Sequence, residues 1–148
     1  PGSSTDPFTF DTASVSIGGV GDARMESFNL SIDNQLEGVP SLNASNEIDR
    51  VRRTGPQMVR LSGTIEFDKI DDYENFVAQT ERQIIINVTK ADSFSLKIDL
   101  PRVVYTAFPL GMSDRGRQTV NLEGTGRYHT GSASAVEITL TTINSYFG

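Results

Sequence analysis

Cysteine is absent from this sequence. That excludes a disulfide framework, a thiolate metal or redox site and a cysteine nucleophile, and leaves burial and hydrogen bonding to hold the fold; assembly in a reducing cytosol fits. Tryptophan is absent too, and with it the exposed aromatic platform that a carbohydrate-binding β-sandwich usually presents. Histidine occurs once, as His129 beside Tyr128 in a turn-like stretch, and no Gly-x-Ser-x-Gly elbow presents a serine nucleophile. His129 therefore reads as a turn residue. Cations are in deficit, with 13 Lys and Arg against 19 Asp and Glu and a net charge of −6, which argues against a protein whose task is gripping DNA. No apolar run approaches the roughly 20 residues needed to cross a bilayer as a helix, so membrane insertion by this chain is not expected.

The 148 residues suit one domain. The opening "PGSSTDP" reads as a linker or arm over 1–7, and the fold is expected over 8–148. Alternating apolar residues separated by turn chemistry dominate that stretch. "FTFDTASVSI" runs into Gly18-Gly19-Val20-Gly21-Asp22, a hairpin-type turn. Phe28, Leu30 and Ile32 then alternate up to Asp33-Asn34. Val59, Leu61, Gly63, Ile65 and Phe67 share one parity and give the clearest strand. Between Asp68 and Glu81 the spacing changes to three and four, with Ile70, Tyr73, Phe76, Val77 and Thr80 on one side, which predicts a helix over 68–81 with its acids in the first turns. "QIIINVTKADSFSLKIDL" predicts a strand pair joined near Lys90-Ala91-Asp92, with Pro101 ending or bending the second strand. "RVVYTAF" predicts a further strand, and "RQTVNLEGTGRY" and "AVEITLTTI" a last pair turning at His129-Thr130-Gly131. The fold class that follows is mainly β: an antiparallel β-sandwich or curved sheet with one flanking α-helix.

Chemistry-bearing patterns are few. "DKIDDYE" lacks calcium-loop spacing, and its acids lie where a helix start favours them. Gly18, Gly19 and Gly21 do not form a dinucleotide fingerprint. Asn43-Ala-Ser45 and Asn87-Val-Thr89 match the glycosylation pattern, which is short enough to arise by chance. A β-sandwich hydrolase needs two convergent carboxylates, and Glu66, Glu123 and Glu137 have no evident reason to converge. Neither a cofactor nor a metal is expected. One segment stands out: Gln35 to Gln57 is too long for an ordinary connection and carries Val39, Leu42, Ile48 and Val51, with Met58 just past its end, together with Glu47, Asp49, Arg50, Arg52 and Arg53. Such a loop is expected to order on a neighbour, its arginines pairing with that neighbour's carboxylates.

The ordered series "FNLSIDNQLE", a long polar loop, "RLSGTIEFD", the helix "DYENFVAQ", a strand pair and a closing "VEITLTT" resembles the tail tube proteins of long-tailed, siphovirus-like bacteriophages over roughly residues 8 to 143. The resemblance implies a β-sandwich-like subunit whose sheet joins its neighbours' into a closed barrel, in rings of six subunits or of three duplicated ones. Stacked, such rings form a virion tail tube that conducts DNA during ejection. It implies self-assembly in the bacterial host cytoplasm, contacts with tape measure and tail terminator proteins, DNA that passes without specific binding, and no enzymatic activity. Inter-ring contact is then expected from 35–57, with Glu47, Asp49, Arg50, Arg52 and Arg53 as candidates. Thr119, Asn121, Glu123, Glu137, Thr139 and Thr141, the polar alternates of the last two strands, are candidates to face the channel. The other readings are a tail terminator, distal tail or capsid decoration protein, and a carbohydrate-binding module.

Overall fold

The computed structural model describes residues 13–21, 24–40, 48–90, 94–110 and 118–141, leaving the side chains of 40, 48, 49 and 90 aside. Among these residues ten strands and one helix follow in order: β1 (Ala13–Ile17), β2 (Val20–Gly21), β3 (Met25–Asp33), β4 (Leu36–Pro40), β5 (Ile48–Arg53), β6 (Met58–Glu66), α1 (Ile70–Val77), β7 (Arg82–Lys90), β8 (Phe94–Ala107), β9 (Thr119–Gly126) and β10 (Glu137–Thr141). Eight strands form one antiparallel sheet in the order β2-β1-β7-β8-β9-β6-β3, with β10 also on β8, and β4 and β5 form a separate two-stranded sheet.

The sheet curves because β8 serves two halves of it. Its first half, Ser95 to Asp99, pairs with β10 on one side while β7 lies on the other. Its second half, Val103 to Ala107, pairs with β9. The change comes at Pro101: Ile84 opposes Leu100 but Arg82 opposes Val103, so one extra residue is accommodated opposite Gln83. Such a bulge bends a strand and tolerates a residue without an N–H. Pro101 therefore bends the strand without ending it. "SFSLKIDL" and "RVVYTAF" are one element. The expected hairpin of β9 with β10 is also replaced: both strands pair with β8, and between them only a bridge from His129 to Ser134 forms.

One apolar face of the curved sheet closes on a single core. Val59, Leu61 and Ile65 of β6, Val120 and Leu122 of β9, Leu100 and Val103 of β8, and Ile84 and Ile86 of β7 are all buried in it. These are the alternating positions read from the sequence. The clearest strand, β6, lies between β3 and β9, where both neighbours hold its register. At the first turn, Gly18 and Gly19 adopt φ of 63° and 83° between the paired Ile17 and Val20. Two successive positive φ values make the hairpin turn whose twist suits its strands.

The helix α1 lies across the end of the sheet where β6 and β8 finish. Tyr73 and Phe76 pack on Phe108, with Phe67 edge-on to the same ring at 5.9 Å. It is shorter than 68–81. Lys69 is its N-cap and makes no side-chain capping bond, because an ammonium has no acceptor to offer the first-turn N–H groups; the preceding Asp68 is paired with Arg24 at 2.5 Å. At the other end Gln79 turns to φ 51°, and Thr80 donates back to the Asn75 carbonyl at 2.9 Å, a left-handed helix stop.

Candidate assembly surfaces

Two surfaces lie outside the core. The first is the outer face of the layer made by β3, β6 and β9. Pairing aligns Ser31 with Arg60 and Thr125, Asn29 with Ser62 and Glu123, and Ser27 with Thr64 and Asn121. Directly opposite residues share a face, so this face is polar across three strands. Thr64 and Asn121 are joined by a hydrogen bond of 3.0 Å. A shallow groove of about 390 Å³ runs over it, lined among others by Asn29, Arg60, Ser62, Thr106 and Glu123. A second, of about 350 Å³, adjoins it at Ser27, Thr64 and Asn121. The charged groups of the face are Asp33, Glu66 and Glu123 against Arg60. Among the described residues its outermost strand, β3, pairs only with β6 and so presents a nine-residue edge.

The six channel candidates divide between two places. Thr119, Asn121 and Glu123 are exposed on this face. Glu137, Thr139 and Thr141 are exposed on β10, opposite Asp99, Lys97 and Ser95 of β8, in the other half of the sheet. Sequence reasoning did not place β3 and β6 on the same polar face as β9, although "SFNLSID" alternates as strictly as "TVNLEGT". The signal was present, and what was absent was any indication that these strands adjoin β9.

The second surface is the projecting hairpin. Within Gln35 to Gln57 the described residues form a two-stranded ladder: Leu36 opposes Arg53, Glu37 opposes Arg52, Gly38 opposes Val51 and Val39 opposes Arg50. It packs on no other element to any extent among the described residues. Its joint to the body is built by hydrogen bonds. Gln35, at φ 50°, accepts from the Thr54 N–H at 2.8 Å and donates its own N–H to Asp33 Oδ1 at 2.8 Å, while Gln57 donates to Asn34 at 2.7 Å. The register splits the arginine cluster. Arg50 and Arg52 share one face with Glu37 and Val39, and Arg53 lies on the other with Leu36 and Val51. All three arginines are exposed, and none makes an ion pair with another described residue. Leu36 and Val51 are 60% and 65% exposed. Glu47 and the side chain of Asp49 lie outside the described residues.

Among the described residues no reactive constellation forms. His129 Nδ1 accepts the Ser132 backbone N–H at 3.2 Å, closing its own turn. Among the described residues no group of three His, Asp or Glu is placed to hold a metal ion, and no helix is long and apolar enough to cross a membrane.

Comparison with known proteins assigns these surfaces a context. Among curated proteins no relative matches the chain. Solved structures that share the fold include the tail of an empty gene transfer agent particle, refined with helical C6 symmetry, at TM-score 0.60 and 15% identity, and the virion of the native gene transfer agent particle, at TM-score 0.52 and 15% identity. Each covers 88% of this chain and 98% of its own. The model of the family described as phage tail tube protein matches residues 1–143. Nearly the whole fold lies inside that match, and the chain belongs to the phage tail tube protein family.

Proposed function

We propose that this chain is a structural, non-catalytic subunit of a virion tail tube. Its copies join side by side into closed rings, hexameric or pseudo-hexameric, and the rings stack into a conduit through which DNA leaves the particle. The observation that carries this reading is the polar face of β3, β6 and β9, which ends on an open strand edge. An open edge is a liability in a monomer, and ring closure pairs it. The same closure turns the polar face into a channel wall. Hydroxyls, amides and a slight excess of carboxylates give a duplex little to hold and repel its phosphates. The C6 symmetry of the gene transfer agent tail agrees with six copies. The hairpin then bridges successive rings, since an isolated two-stranded hairpin is marginal in water and this one keeps Leu36 and Val51 exposed. Assembly in the bacterial host cytoplasm, and contacts with tape measure and tail terminator proteins, belong to the same reading.

Electron microscopy of the purified protein is expected to show stacked rings with a central channel. Asn121→Lys with Glu123→Lys is expected to leave the tubes intact while DNA binding that weakens with salt appears and delivery falls by about an order of magnitude. Normal delivery by tubes that still bind no DNA places this face away from the channel. Reversing Arg50, Arg52 and Arg53 to Glu together is expected to stop stacking with the β-fold unchanged. Tubes of ordinary length from that variant remove the hairpin from the mechanism.

A further inference from the structure

The stacking reading leaves open what receives the hairpin, and the rest of the molecule offers a matched surface. The β3–β6 ladder has two ends. The hairpin leaves it beyond the pair Asp33 and Met58, and α1 begins past the other end, where Met25 meets Ile65. Nine residues of strand separate them, roughly 30 Å, so the hairpin cannot reach its own helix. A second copy placed end to end can.

Among the described residues nothing packs on the outward side of α1. Asp72 is buried, and Tyr73 and Phe76 turn toward the core. Ile70 and Val77 are 58% and 63% exposed; seven positions apart, they lie along one line about 10 Å long. Glu74 sits between them on that line and Asp71 beside it. Both are exposed, and neither makes an ion pair with another described residue. The last turn holds no base, and Lys69 lies at the N-cap. The hairpin face of Leu36, Gly38, Val51 and Arg53 is its counterpart. Leu36 and Val51 are diagonal neighbours across the two strands, about 7–8 Å apart. Gly38, opposite Val51, carries no side chain that would hold a helix off.

We propose that this hairpin face docks on α1 of a second copy in the next ring, Leu36 and Val51 meeting Ile70 and Val77, with Arg53 beside Glu74 and Asp71. The inference rests on the stacking reading above. It commits the hairpin to one face, with Arg50 and Arg52 turned away from the helix. Joining opposite ends of identical chains gives a heterologous contact, which propagates along an axis without limit. Neither apolar pair is large enough alone, and repetition around a ring multiplies a weak contact by avidity.

The test is a charge exchange in the full chain, read as the protein concentration at which tubes appear by electron microscopy. Arg53→Glu and Glu74→Arg are each expected to raise it at least about tenfold, and the two together to return it to within about threefold of the starting protein. Both positions are exposed, and circular dichroism checks that each variant keeps its fold. Unchanged assembly of Glu74→Arg, in a protein whose stacking is blocked by reversing all three arginines, means that the hairpin docks elsewhere and overturns the proposal. If reversing all three arginines leaves stacking intact, the stacking reading fails, and the docking with it.

Discussion

Replacing Asp72 with Ala is expected to destabilise the fold by about 3 to 5 kcal/mol, a large part of the 5 to 15 kcal/mol that holds a typical domain. Asp72 is only 4% exposed. Its Oδ2 lies 2.8 Å from Arg24 and its Oδ1 3.0 Å from Arg82, so one carboxylate of α1 ties the helix both to the entry of β3 and to the start of β7. Those arginine side chains are themselves 13% and 21% exposed. Removing the acid leaves two guanidinium groups poorly hydrated beside each other, although Arg24 keeps Asp68 at 2.5 Å. The magnitude comes from that uncompensated charge, because an exposed ion pair contributes only about 0 to 1 kcal/mol. Thermal unfolding of Asp72→Ala should show Tm lower by on the order of 10 °C. Asp68→Ala, which removes a carboxylate with half its side chain exposed, should lower it by a few degrees at most. Equal effects from the two variants would show that Asp72 is not the anchor.

Asp72 also shows where the sequence misleads. Its neighbours Asp68, Asp71 and Glu74 make it one more acid at a helix start, and helix electrostatics accounts for all four. Only the three-to-four spacing distinguishes it: Asp72 stands one turn before Phe76, on the inward side. The core was legible because burial imposes alternation: Val59, Leu61 and Ile65 keep one parity across Gly63, and Ile84 and Ile86 keep theirs around Ile85. The hairpin was not legible. Both of its faces meet solvent within one chain, so "LEGVP" and "IDRVRR" have no apolar side to alternate with, and Gly38 and Pro40 argue against a strand. The partner of β10 was hidden for another reason. Turn chemistry at His129 to Gly131 favours a local hairpin, whereas the pairing with β8 depends on contacts about 40 residues away, which no local pattern encodes. The polar face falls between these cases: the alternation in β3, β6 and β9 is visible strand by strand, and their adjacency appears only in the fold.

That adjacency depends on Gly63, and Gly63→Ala is expected to cost about 1 to 3 kcal/mol, Gly63→Val more. General strand physics predicts the opposite sign, since glycine inside a strand is worse than alanine by roughly 0.5 to 1 kcal/mol. The local geometry reverses it. Gly63 lies between Phe28 of β3 and Leu122 of β9, and just beyond it the β3–β6 register slips between Met25 and Ser27. The bulge brings the Ser27 carbonyl over Gly63, so that a Cβ added there would stand 2.5 Å from that oxygen. The obstacle is main chain, and no rotamer change relieves it. To admit the side chain, β3 must move off β6, which loosens Met25 in the core and shifts Ser27, Asn29 and Ser31 out of line with Thr64, Ser62 and Arg60. Because β3 is the edge expected to meet the next subunit, the substitution should impair ring closure beyond its cost in stability. Hydrogen exchange should show β3 amides losing protection before those of β7, whose pairing with β8 does not involve Gly63. Gly21→Ala supplies the control: nothing lies within 4 Å of a Cβ at that position, and its effect should stay within about 0.5 kcal/mol. A Gly63→Ala protein that melts higher than the parent, with β3 protection intact, would mean that the bulge yields easily and that β3 is not held by this close approach.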